Sequence, residues 1–235
     1  MLIAAALCPS PPLLARELTG ADPVVPELRQ ACLEAAAALV AAGPDVVAVV
    51  GVAGEPGERD ARGRLDLAAF APALCSSDGE GSAGAAALPV SLGLGAMLLD
   101  QAGYRGDRVL HAVTEDSEAG ACAALGARLS GSRSRVALLV MADGSARRTL
   151  RAPGYLDERS APFDAGVTLA IAAGDLGDLL ALDAGLARDL MATGRPVLQV
   201  LAGAAAGLRC VSEMRYGDDP FGVWYLVASL GFPPP

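Results

Sequence analysis

Apolar positions along this chain follow two rhythms. Unbroken runs at residues 2–7 (LIAAAL), 46–51 (VVAVVG) and 136–142 (VALLVMA) have the length and continuity of strands buried on both faces. Between the first two the spacing turns helical. Residues 26–42 carry Leu28, Ala31, Cys32, Ala35, Leu39 and Ala42 at helical intervals, opened by Pro26 and closed by Gly43-Pro44. Strand, helix, strand is a βαβ unit. Further on, residues 87–90 predict a short strand, 94–102 a helix stopped by Gly103, 108–114 a strand alternating around His111, and 118–129 a helix. Residues 163–173, 175–182, 184–193 and 196–204 predict consecutive helices joined by Gly-Asp and Asp-Ala-Gly turns, a helical insert or cap. Residues 208–216 and 223–230, around Gly217-Asp218-Asp219-Pro220, predict an antiparallel hairpin at the sheet edge.

These elements predict an α/β fold: one domain over residues 1–235, a mainly parallel mixed sheet with helices on both faces, and a helical segment near the C-terminus. In such sheets ligands sit outside the carboxyl ends of the strands. The first loop there is Cys8-Pro9-Ser10-Pro11-Pro12. Its three prolines fix φ and remove backbone donors, so the loop holds one shape and presents Ser10 as its single polar side chain. Residues 53–63 (AGEPGERDARG) predict a long polar loop after the second strand, with Glu55, Glu58, Arg59, Asp60 and Arg62 as solvated charges. Asp143-Gly144-Ser145 is the turn that ends the third apolar run. Residues 76–86 (SSDGEGSAGAA) are of low complexity and read as a flexible loop.

Composition narrows the function classes. Apolar residues make up 53% of the chain and aromatics only 4%, so the core must be packed from Ala, Leu and Val. The net charge is −9, with arginine as the only strong cation, which excludes the basic stripe that nucleic acid requires. The five cysteines (8, 32, 75, 122, 210) form no CxxC pair and suit reduced thiols in the cytosol, so a cytoplasmic location is expected. The apolar N-terminal run lacks a basic flank and breaks at Pro9, unlike a signal peptide. No apolar stretch approaches the ~18 residues of a membrane span. A homodimer is the default expectation for assembly.

Candidate chemistry is sparse. His111 is the one histidine and sits inside an apolar strand, where a hydrogen-bonded structural imidazole is the simplest role. Cys8 lies beside the first turn, but no base is fixed near it by sequence. Asp143 and Ser145 either hold a ligand or cap their own turn. Arg147, Arg148 and Arg151 either clamp an anion or pair with Asp157 and Glu158 at the surface. Glu213, Tyr216 and Tyr225 read as edge-strand and core residues. The SLGLGAM run lacks the third glycine and the acidic partner of a dinucleotide loop.

Seven segments, in order along nearly the whole chain, resemble the class III extradiol ring-cleavage dioxygenases, the LigB-type catalytic subunits and their Memo-like relatives. CPSPPLL is similar to the family's CPHPPLL, VVGVAG to its strand ending in a Pro-His-Gly turn, and LPVSLGLGAMLL to its central segment. VMADGSARR resembles SGDLSHR, GYLDERSAPFD and LLALDAGLA resemble helical stretches, and YGDDPFGVWYLVA resembles a closing YExPFGVGYLVA. The resemblance implies a non-haem iron held by two histidines and a glutamate, with a third histidine as acid/base. Matched by motif, the two histidine ligands fall on Ser10 and Ala53, the acid/base on Ala146 and the carboxylate on Ala192. Serine and alanine cannot supply the imidazole and carboxylate donors of a facial triad. No metal and no cofactor is therefore expected.

Three functions stay open on the sequence. The first is a degenerate, non-catalytic relative that keeps a cleft for a small ligand or a partner, with Cys8, Ser10, Asp143, Ser145 and Arg147 as candidate ligand contacts. The second is a metal-independent enzyme acting on a polar small molecule through Ser10, Asp143, Ser145 and Arg147. The third is retained dioxygenase activity at an atypical metal site.

Overall fold

Each unbroken apolar run becomes an interior strand, and each helical repeat a helix laid across the sheet. The computed structural model describes residues 1–20, 24–71, 86–131 and 134–234. In chain order the first elements are β1 (Leu2–Cys8), α1 (Arg16–Thr19), α2 (Pro26–Ala41), β2 (Val46–Val52), β3 (Gly57–Arg59), β4 (Arg64–Leu65), β5 (Ala87–Leu88) and α3 (Val90–Gln101). There follow β6 (Asp107–Val113), α4 (Ala119–Ser130), β7 (Val136–Met141), α5 (Ser160–Ala173), α6 (Ala184–Asp189), α7 (Arg195–Ala204), β8 (Val211–Asp218) and β9 (Tyr225–Gly231). The main sheet runs β3-β6-β2-β7-β1-β9-β8. Its four central strands, β6, β2, β7 and β1, are parallel, and β3, β9 and β8 are added by antiparallel pairing.

Alternation along β1 sends Ala4, Ala6 and Cys8 to one face and Ala5 and Leu7 to the other. The first face is covered by α2 and α3, the second by α4, α5 and α7. Small residues set how closely these layers approach. Where α4 crosses α7, a Cβ on Gly126 would overlap the backbone of Val200, and one on Gly203 would overlap that of Ala123. The glycines of SLGLGAM serve the same end: Gly93 lies against Leu65, and Gly95 against Val49 and Met141. The glycine-rich run is a helix-packing surface and not a phosphate loop.

Several expectations change. Cys8 belongs to β1, paired with Met141, and the loop begins at Pro9. The polar loop over 53–63 contains strand β3, an antiparallel edge on β6 whose Glu58 lies opposite His111. The strand expected at 87–90 pairs with Arg64–Leu65 in a separate ladder, and its last residue opens α3. The helical cap loses its first and last members, since α5 and α7 both pack on the sheet. Every residue of α7 is buried, the polar pair Arg195 and Gln199 included, so this largely apolar helix belongs to a core layer. Cys75 and residues 76–85 lie outside the described residues. Among the described residues, no helix is long and apolar enough to cross a membrane.

Candidate functional site

Four parallel strands deliver their loops to one edge of the sheet. Neighbouring strands lie about 4.8 Å apart, so Asp143 after β7 is flanked by Ser10 after β1 and Ala53 after β2. The Ser10 loop is set by its prolines: Pro11 and Pro12 lead into a 3-10 turn in which the Leu14 N–H donates to the Pro11 carbonyl at 3.0 Å. This aims Ser10 at Asp143. The Ser10 N–H donates to Oδ1 at 2.9 Å and the Ser10 hydroxyl to Oδ2 at 2.6 Å. Both residues are half-buried.

A second clasp repeats the first. Ser145 is fully buried, and its N–H donates to Asp164 Oδ1 at 2.9 Å and its hydroxyl to Oδ2 at 2.5 Å. Asp164, 1% exposed, comes from the buried face of α5 that also carries Val167 and Ile171. Arg148 NH1 stands 3.7 Å from Asp164 Oδ2, while its Nε donates to Asp219 at 2.7 Å. The same guanidinium lies 4.9 Å above the Trp224 ring, a cation–π contact. Gly144, between the clasps, has no room for a side chain: a Cβ there would meet Trp224 and Asp164.

The third wall is the segment from α6 to α7. Here α6 ends in a Schellman motif, with Ala192 N–H donating to the Ala187 carbonyl at 2.8 Å and Met191 N–H to Arg188 at 3.0 Å. The position that usually holds glycine is Met191, at φ 54°. That reversal brings Ala192 inward and lets the Gly194 N–H reach the Asp143 carbonyl at 3.0 Å. Ala192 separates two cavities. One, about 20 Å³ and lined by Asp143, Asp164, Phe163 and Trp224, is large enough for one water. The other, about 140 Å³, is lined by Glu115, Ala184, Arg188, Met191, Thr193 and Arg195.

The candidate residues divide by where they fall. Ser10 and Asp143 are bonded, and Ala192 shares a cavity with Asp143. Ala146 donates its N–H to the Leu190 carbonyl at 3.0 Å, which ties it to the same wall. Ala53 closes the β2–β6 ladder, its N–H on the Val113 carbonyl at 2.9 Å, and packs toward the α2–α3 face. Arg147 directs Nε and Nη1 to the Gly154 and Asp189 carbonyls, which braces the loop. Of the pairing expected for the basic cluster, Arg147 is 3.9 Å from Asp157, whereas Arg148 turns inward to Asp164. Cys8 is wholly buried, its thiol 4.0 Å from the Cys32 carbonyl. Among the described residues, no three His, Cys, Asp or Glu side chains are grouped to hold a metal.

Burial raises the Asp143 carboxyl above the ordinary range, against the two Ser10 hydrogen bonds that favour its anion. Asp164 is raised for the same reason, with Ser145 and Arg148 opposing. Cys32 is pushed well up by its hydrogen bond with Cys8 and by burial, which leaves it an inert thiol. His111 is lowered by burial and by Arg128, so it is neutral at pH 7, and it sits mid-strand on β6 rather than at the rim. The rim can therefore donate and accept hydrogen bonds. It lacks a strong base beside Ser10.

Asp164, Trp224 and Arg195 were not singled out by sequence. Asp164 carried a signal, a carboxylate spaced with Val167 and Ile171 on an apolar helix face. Arg195 carried another, a charge opening a run whose only other polar residue is Gln199, one turn on. Trp224 carried none, because its partner Arg148 is distant in sequence.

No family model matches the chain, and no curated protein matches it. The chain is similar in structure to an uncharacterized protein of Escherichia coli K12, JW3007, known from its crystal structure. The TM-score is 0.58 at 14% sequence identity, over 97% of this chain and 99% of that one. At that identity the likeness is one of fold: an α/β architecture with a mixed sheet between helical layers.

Proposed function

We propose that this chain is an extradiol dioxygenase-like protein that has given up iron chemistry and keeps the cleft at its strand ends for a small ligand. One observation carries the reading. Ser10 is hydrogen-bonded to Asp143, Ala192 lines a cavity with Asp143, and Ala146 is bonded to Leu190, two residues before Ala192. The nearness of positions 146 and 192 to the first turn supports the reading, whereas Ala53, the remaining matched position, packs toward the α2–α3 face. The side chains at those positions are a hydroxyl and methyl groups, which leave no donor set for Fe(II). Ser10 and Asp143 alone make a poor nucleophilic pair, since a carboxylate is a weak base and no imidazole stands between them.

Protein expressed in iron-supplemented medium should carry far less than one equivalent of iron or zinc by elemental analysis, and should consume no oxygen with protocatechuate. One tightly held metal per chain together with catechol cleavage would establish an atypical metal site instead.

A further inference from the structure

Arg195 is a cation in an unfavourable place. It is 3% exposed and stands at the first turn of α7, where the helix dipole disfavours positive charge. Its hydrogen-bond partners are all neutral: Gln199 Oε1 at 2.8 Å, the Glu115 carbonyl at 2.6 Å and the Ser117 carbonyl at 2.9 Å. Among the described residues no carboxylate lies within ion-pair distance of it, and the three bonds use three of its five N–H groups. A buried charge with no counter-charge is costly. Arg195 lines both cavities, and in the larger one it is joined by Thr193, whose hydroxyl bonds to no described residue. The rest of that wall is short and largely apolar, with Ala184, Ala187, Met191 and Ala192.

Other charges at the mouth do not cancel this one. Arg188 is already paired with Asp116 at 2.6 Å, and both are exposed. Glu115 is exposed, so water and salt screen it, while the desolvated Arg195 is screened far less. The net preference inside the cavity is for a single negative charge carried on a small apolar body.

We infer that the 140 Å³ cavity beside Ala192 binds a short-chain monocarboxylate, its carboxylate held by Arg195 and the Thr193 hydroxyl and its alkyl part against the alanines and Met191. The inference rests on the reading that the rim keeps a small-ligand cleft, and it names the ligand class. Phosphate does not suit the site, since a dianion meets only one unoffset positive charge there.

Isothermal titration calorimetry of the full chain with sodium butyrate and with sodium acetate, at ionic strength held constant with chloride, tests it. Butyrate should bind at one site per chain and roughly tenfold more tightly than acetate, because two further methylenes are buried. Arg195→Gln should abolish binding, but it also unties residues 115 and 117 and is a fragile variant. Thr193→Val, isosteric, and Ala184→Phe, at the exposed mouth of the cavity, should each weaken butyrate about tenfold while circular dichroism is unchanged. Absence of butyrate heat in the wild type, or equal affinity in wild type and both variants, would overturn the inference. No butyrate heat together with binding of an uncharged small molecule such as butyramide would leave the cleft reading standing while the carboxylate assignment fell.

Discussion

Asp143 and Asp164 each take a serine N–H on one carboxylate oxygen and that serine's hydroxyl on the other, yet only Asp164 has a guanidinium within reach. The bonding pattern is the same and the surroundings differ. Asp164 and Ser145 are sealed between α5, Arg148 and Trp224, so the Ser145 N–H and hydroxyl depend on Asp164 for their hydrogen bonds. Asp143 and Ser10 are half-buried on the rim, and although the Asp143 carboxyl is itself desolvated, Ser10 can turn to solvent or a ligand. One clasp fastens the loop after β7 to the helical wall, and the other fastens the first loop to it and borders the cleft.

The comparison breaks most visibly at Asp164. Asp164→Ala strands the Ser145 N–H and hydroxyl and takes one of two carboxylates from Arg148, so a loss of about 3–5 kcal/mol is expected in urea unfolding. Asp143→Ala should lose only about 1–2 kcal/mol, because Ser10 can turn to water. Equal losses at the two sites would mean that exposure does not separate them.

A subtler contrast lies in pH. Burial raises both carboxyls, so the folded chain holds these protons to higher pH than the unfolded chain, whose aspartates titrate near 3.9. The folded state therefore binds more protons from about pH 4 up to the raised native values, and stability falls across that window as pH rises, then levels. Asp143→Asn removes one of the two contributions. Its stability relative to the wild type should climb with pH over the same interval, as followed by urea unfolding at several pH values, and a pH-independent difference would contradict the raised Asp143 carboxyl.

The parallel strands were legible in the sequence because unbroken apolar runs admit few other uses, and the hairpin because its turn residues bracket two strands. The separation of α7 from the cap was not, since short amphipathic helices and a fully buried one follow each other without a break in composition. Edge strand β3 was hidden as well: Gly57-Glu58-Arg59 has no strand pattern of its own and is held by β6. At the site, Ser10 and Asp143 stood out as polar residues at strand ends, but their pairing across 133 residues is a matter of strand order. As for the rest of the basic cluster, the sequence left both anion binding and surface pairing open for Arg147. The nearby carbonyls of Gly154 and Asp189 claim it, and the buried cation is Arg195 instead.

The proposal that Ser10, Ala53 and Ala192 stand at emptied ligand positions is tested most directly by refilling them, Ala53 being the most demanding of the three because its side chain packs toward the α2–α3 face. Ser10 and Ala53 are two strand spacings apart, about 10 Å, a span that two inward imidazoles can share around one ion. The triple variant Ser10→His, Ala53→His, Ala192→Glu should bind Zn(II) or Fe(II) at one equivalent per chain by calorimetry, with modest affinity because the residues that would orient the new ligands are not in place. Each single variant should bind none. A folded triple variant with no metal affinity beyond that of the wild type would contradict the convergence of these three positions.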